Sequence, residues 1–132
     1  MRILLDTHFL IWLATDDKAL SQAEQRLLIA PETMILVSAI SIWELRVKEA
    51  SQARREKPRP LLLASDAITF ARLSDIPIVS PHIDDYAAPL VPPLAHTDPF
   101  DEMLLVHAQQ LGAKLLTRDE RLLGHACAAS PV

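Results

Sequence analysis

Four acids stand out by where they fall: Asp6 in "LLDTHFL", Glu44 in "SIWELRVK", Asp101 in "DPFDEMLL" and Asp119 in "LLTRDERL". An ionised carboxylate among apolar residues is costly unless something positive answers it. Most of the four have a local explanation. Asp6 can cap a helix that begins at Thr7 or His8, and Asp119 can cap the turn "RDERLL". Asp98 before Pro99 makes a good N-cap, and Asp101 three residues on suits the positive end of the same helix. Glu44 is different, because nothing local requires an acid between Trp43 and Leu45. One such acid means little. Four from separated segments are hard to explain as caps.

Carboxylates that converge repel one another, and a shared cleft raises the cost of ionising them. A divalent cation resolves that conflict. Hard Mg²⁺, or Mn²⁺, takes oxygen ligands and keeps waters, which suits Asp6, Glu44, Asp101 and Asp119 better than it would a His or Cys set. Such an ion can activate water, orient a phosphodiester and stabilise a leaving oxygen. Asp98 either assists or only caps. Ser38 and Thr117 are placed to orient a carboxylate or a water, and His8 either contacts phosphate or faces solvent. Arg46 and Lys48 lie near Glu44, while Arg54, Arg55, Lys57 and Arg59 form the one basic cluster, tempered by Glu56. These cations either meet phosphates flanking a scissile bond or form a solvated face.

The elements that must position these residues follow from periodicity. Strand-like runs fall at Arg2–Leu5, Met34–Ser38, and residues 76–79 and 113–117. Ser21 with Glu24 forms a capping box before a helix that reaches Ile29. Ile40, Trp43, Glu44 and Val47 share helical spacing, predicting a helix over residues 41–50 with those four on its inward stripe. Pro60 is expected to open another, with Leu61, Leu62, Ala64, Ile68 and Ala71 on its buried face. Residues 82–90 read as a short helix, and residues 98–111 as a strong one stopped by Gly112. Trp12 and Trp43 sit among aliphatics and are expected in a core or dimer interface, while His96 and His107 are expected to be structural. Strands alternating with helices predict an α/β fold: a central parallel β-sheet flanked by α-helices. In such folds, sites form beyond the carboxyl ends of the strands, where Asp6 and Asp119 lie.

Composition narrows the classes. With 132 residues, half of them hydrophobic, the chain is expected to be a single domain over 1–132. Cys127 is the only cysteine, which excludes an internal disulfide and a Cys-rich zinc site and fits a cytoplasmic setting. No apolar run approaches the ~20 residues of a membrane span, and Asp6 interrupts what would otherwise be a leader. Only two glycines are present, too few for a Walker loop or dinucleotide fingerprint. A net charge of −4 disfavours a general nucleic-acid coat but not an enzyme with its acids in one pocket.

"LLDTHFLIWL", "ILVSAISIWELRVK" and "HTDPFDEMLLVHAQQLGAKLLTRDERL" resemble, in order and spacing, the landmarks of PIN-domain ribonucleases, specifically VapC-like toxins of toxin–antitoxin pairs. The likeness spans Arg2 to about Leu123. It implies a parallel sheet wrapped by helices, Mg²⁺-dependent endoribonuclease activity on RNA, a cognate antitoxin and a homodimer. By motif, the family's acids fall on Asp6, Glu44, Asp101 and Asp119, all present. Two other readings stay open: a catalytically silent PIN-type binding module, and an Asp-dependent phosphohydrolase with Asp6 as nucleophile. The second is weakened because dehalogenase-type phosphatases carry another Asp two residues on, where this chain has His8.

Overall fold

The structure is a computed structural model that describes residues 1–57, 62–95 and 98–131. In chain order the described residues form β1 (Arg2–Leu5), α1 (Thr7–Thr15), a 3₁₀ turn (Asp17–Ala19), α2 (Gln22–Ile29), β2 (Met34–Ser38) and α3 (Ala39–Ala53). There follow α4 (Ala64–Leu73), β3 (Ile78–Val79), a second 3₁₀ turn (Ile83–Ala87), α5 (Pro99–Leu111), β4 (Lys114–Leu116), α6 (Glu120–Leu123) and β5 (Ala128–Ala129). The strands make one sheet in the order β3-β2-β1-β4-β5, and every pairing is parallel. The predicted α/β fold is therefore the observed one.

Alternation along β1 divides the core in two. Ile3 and Leu5 point to one face, where they meet Phe9 and Leu10 of α1, Leu28 of α2, Leu45 of α3 and Ala67 of α4. Leu4 points to the other, against Leu104, Leu105 and Ala108 of α5 and Leu122 of α6. Burying both faces is what a parallel sheet requires, and each fully buried leucine contributes ~1.5–3 kcal/mol.

Local signals act as their chemistry dictates. Ser21 and Glu24 form the predicted box, with Ser21 Oγ accepting from the Glu24 amide at 3.1 Å and Glu24 Oε1 from the Ser21 amide at 2.7 Å. Gly112 ends α5 at φ 63°, the left-handed region that lacks a steric penalty only for glycine.

Three expectations need correction. The stripe of α3 is not Ile40–Trp43–Glu44–Val47: Ser41, Glu44 and Leu45 are buried, whereas Trp43 is 60% exposed and Val47 38%. Small Ser41 lets α3 approach Thr7 of α1, and that contact turns Trp43 outward. Trp43 is thus no core residue, while Trp12 packs partly buried beside the first core. The fourth helix begins at Ala64, where Glu49 of α3 accepts the Ala64 amide at 2.5 Å in place of a local cap; Pro60 and Leu61 lie outside the described residues. The segment 82–90 narrows to the 3₁₀ turn Ile83–Ala87. His107 is buried, its Nδ1 2.8 Å from Ser38 Oγ, as a structural histidine should be; His96 lies outside the described residues.

Candidate active site

The three central strands end side by side, and the polar residues that follow them share one edge. Asp6 follows β1, Ser38 closes β2, and Thr117 and Asp119 follow β4. The Asp6 amide donates to Leu116 O at 3.0 Å, which joins the two strand ends.

Asp6 occupies the N-cap position of α1, yet its side chain makes no capping bond. The local explanation for this acid therefore fails. Its carboxylate is buried and accepts from the Thr117 hydroxyl at 2.6 Å. Glu44 is buried on α3, with Oε1 2.8 Å from Thr7 Oγ1, and Thr7 Oγ1 is also 2.9 Å from Ser41 Oγ. A hydroxyl has one proton, and the carboxylate, which can only accept, takes it. Glu44 Oε2 pairs with Lys48 Nζ at 2.8 Å, one helical turn on.

Asp98 and Asp101 share the first turn of α5. Asp98 Oδ1 accepts from the Phe100 and Asp101 amides at 2.9 and 3.0 Å, so it caps the helix. Asp101 has no such local role. Its carboxyl is pushed up from the ordinary 3.8 to about 6, first by burial and then by the negative charges of Asp98, Asp6, Asp119 and Glu44. Acids from four parts of the chain thus share one electrostatic field. Asp119 caps α6 through the Arg121 amide at 2.9 Å, and Arg121 forks onto both its oxygens at 3.2 and 2.9 Å. Arg121 Nη2 also reaches to 3.9 Å from Asp101 Oδ2.

As they stand, these side chains do not close on a point: among the described residues no three His, Cys, Asp or Glu are grouped to hold a metal ion. Lys48 and Arg121 instead supply positive charge to Glu44 and Asp119. The donor set is nonetheless oxygen-only, and the raised Asp101 marks a place where added positive charge is favoured.

Ser38 Oγ is engaged by His107 and by the Ile40 amide rather than by an acid. Thr117 instead donates its hydroxyl to the Asp6 carboxylate. His8 is exposed, its ring 5.9 Å from that of Trp12. Arg46 is exposed and lies 3.9 Å from Glu49, and Arg54 and Arg55 are exposed at the end of α3. Arg59 lies outside the described residues. Sequence reasoning missed Thr7 as the group that holds Glu44. Its position beside Asp6 was visible, but its reach to α3 depends on packing.

A model of the PIN domain family matches residues 3–126. The chain belongs to the PIN domain family. The backbone resembles that of a solved structure described as VapBC2 from Rickettsia felis bound to a DNA fragment from their promoter, with a TM-score of 0.66 and 16% sequence identity. That likeness covers 98% of this chain and 97% of the other, so the two share the PIN fold over nearly their whole lengths. No curated protein sequence matches the chain. Membership of the PIN domain family also weakens the dehalogenase-type reading of Asp6. None of the helices is long and apolar enough to cross a membrane, among the described residues.

Proposed function

We propose that this PIN domain is a VapC-like, divalent-metal-dependent endoribonuclease, neutralised by a cognate antitoxin. The observation that carries the reading is Asp101, whose carboxyl is raised to about 6 partly by four other acids at the carboxyl edge of the sheet. A perturbed carboxyl set among other acids at the edge of a sheet is a candidate site of chemistry.

In this reading Asp6, Glu44, Asp101 and Asp119 hold Mg²⁺ or Mn²⁺, with Asp98 serving chiefly to start α5. The bound ion supplies positive charge to a phosphodiester and lowers the pKa of a water. Thr117 and Thr7 fix the Asp6 and Glu44 carboxylates in advance, so less ordering remains when RNA arrives. Lys48 and Arg121 answer the charges of Glu44 and Asp119, and with an ion bound they would be available to meet phosphate oxygens. Arg46, Arg54, Arg55 and Arg59 extend that contact along the RNA. The apolar surface open to an antitoxin or a second copy centres on Trp43, which lines a groove of about 720 Å³ with Ile42, Ile68 and Ile78.

The test is the protein freed of any partner and incubated with total RNA in Mg²⁺, in Mn²⁺ and in EDTA, beside an Asp101→Asn variant. Cleavage that needs the metal and the Asp101 carboxylate supports the reading. RNA left intact in every arm favours the binding-only module instead, consistent with acids that stand apart as they are.

A further inference from the structure

Arg118 lies between Thr117, which holds Asp6, and Asp119, which caps α6, yet its own side chain turns away from the acids. Its Nε donates to Glu24 Oε2 at 2.8 Å, and its Nη2 donates to Ala19 O at 2.7 Å and to Glu24 Oε1. The guanidinium carbon Cζ lies 4.3 Å from the Trp12 ring centroid and 5.5 Å from that of Phe9. Glu24 is only 3% exposed and also closes the capping box of α2. One side chain therefore ties together α1, the first 3₁₀ turn and α2, and fastens them to the loop after β4.

We infer that the Glu24–Arg118 fork is a positioning device for the acid cluster, an inference that rests on the metal site proposed above. The helix that Arg118 grips through Phe9 and Trp12 is α1, whose N-cap position is Asp6. The loop to which Arg118 belongs supplies the Thr117 hydroxyl and the Asp119 carboxylate. That hydroxyl also accepts the Asp119 amide at 3.0 Å, so the loop's two contributions move as a unit. With the fork closed, Asp6, Thr117 and Asp119 keep a fixed separation against the repulsion among the acids. With it open, the loop loses its tie to α1 and α2 and keeps the pairing of β4 with its neighbours, the Asp6 and Thr117 amide bonds and the Thr117 hydroxyl bond to Asp6. Arg118 is thereby a structural cation, with Nε and Nη2 engaged by Glu24 and Ala19 and the guanidinium over Trp12. An arginine suits the role because a planar fork can pair with a carboxylate and stack on indole at once, which an ammonium cannot.

The experiment measures Mn²⁺ binding by calorimetry and by the loss of the free-ion electron spin resonance signal, without RNA. The proteins are the full chain and its Arg118→Met, Arg118→Lys, Glu24→Gln and Leu28→Ala variants. Leu28→Ala empties part of the same core without touching the fork, and so reports what general loosening does. Arg118→Met and Glu24→Gln should each weaken Mn²⁺ affinity about tenfold, the lower end of what loss of a supporting contact costs a metal site. Arg118→Lys should fall between them and the parent, and Leu28→Ala should keep the parental affinity even though it melts lower. Parental affinity in Arg118→Met and Glu24→Gln overturns the inference. If those two do not fold, Arg118→Lys decides: it keeps the charge, and parental affinity there overturns the inference equally. A parent that binds no Mn²⁺ overturns the metal site itself, an outcome read from the parental arm alone.

Discussion

Glu24 and Asp101 are both carboxylates with little exposure, 3% and 16% of their side chains, and their environments push them in opposite directions. Arg118 donates to both oxygens of Glu24 and holds its carboxyl below the ordinary range. Asp101 is desolvated and surrounded by other acids, with Arg121 at 3.9 Å and already committed to Asp119. The first charge is answered inside the fold, so it fastens elements together. The second is left in conflict, and a fold retains such conflict where a ligand resolves it. The contrast separates a structural acid from a site acid by what surrounds each, with no appeal to the family.

The contrast is broken most directly by removing charge from the site. Asp6→Asn, Glu44→Gln and Asp101→Asn should each keep the fold and lower metal-dependent RNA cleavage by at least ~10²-fold, the range in which single groups contribute to such chemistry. Without metal, Asp6→Asn and Asp101→Asn should melt no lower than the parent, because each relieves repulsion, whereas Glu44→Gln also strips a charge partner from Lys48. Glu24→Gln should instead lower the melting temperature, since it strips a charge partner from Arg118. Cleavage rates on total RNA and melting curves in EDTA check the pair. Near-parental cleavage by Asp6→Asn and Asp101→Asn together would end the case for the site.

The second distinction is in pH. Asp101 has its folded value raised to about 6, so between about pH 4 and 6 the folded state holds more protons than the unfolded chain. Stability from this group is therefore greatest below about pH 4 and falls as pH rises through 6. Moving the carboxyl from 3.8 to about 6 corresponds to as much as about 3 kcal/mol. Glu24 has the opposite sign: its contribution is present above the unfolded value and is lost as pH falls through the lowered one. In metal-free protein, Asp101→Asn should flatten the decline between pH 4 and 6 and melt higher at pH 7. A parental slope in that variant assigns the decline to other groups.

How much of this was legible depends on the range of the force involved. Caps and stops are local, so the Ser21–Glu24 box and Gly112 could be read from neighbouring letters. The Met34–Ser38 strand was equally plain, as a run of apolar residues. The four acids stood out because Asp6, Asp101 and Asp119 fall at strand or helix ends and Glu44 interrupts an apolar run inside α3. Which way α3 faces was not, because Trp43 and Val47 look like core residues while small Ser41 is the one that packs. Glu24 was read only as a cap. Its second partner lies 94 residues away, and no spacing rule reaches that far. The two-residue strand β5 was missed for a related reason, since it is too short to show a period.

Metal should act on one side of the comparison alone. Only folding brings the site acids into one field, so Mg²⁺ or Mn²⁺ binds the folded state and stabilises it by ~2.7 kcal/mol at a hundredfold excess over its dissociation constant. The gain should vanish in Asp101→Asn. It should also steepen between pH 5 and 7, as the Asp101 proton that competes with the ion is lost. Thermal melts across a titration of each metal give the measurement. Melting curves indifferent to millimolar Mg²⁺ and Mn²⁺ count against the site while leaving the fold untouched.

The smallest effect belongs to Asp98, which has a foot in both regimes. Its Oδ1 accepts two amides at the start of α5, a structural duty, while its charge is the largest electrostatic contribution to the raised Asp101. Asp98→Ala removes both, and the two consequences oppose each other. The lost cap costs ~1 kcal/mol at any pH. The lost repulsion is a gain only where Asp101 is ionised. Near pH 5 Asp101 is largely protonated, so the cap dominates and the variant should be less stable by about that full amount. At pH 8 the relief offsets part of it, and the deficit should shrink. Asp98→Asn separates the terms, because an amide oxygen still caps a helix without carrying charge. It should match the parent near pH 5 and exceed it at pH 8, measured by urea unfolding in EDTA. Equal deficits for Asp98→Ala at both pH values would show that Asp98 only caps, and would place the field on Asp101 with Asp6, Asp119 and Glu44.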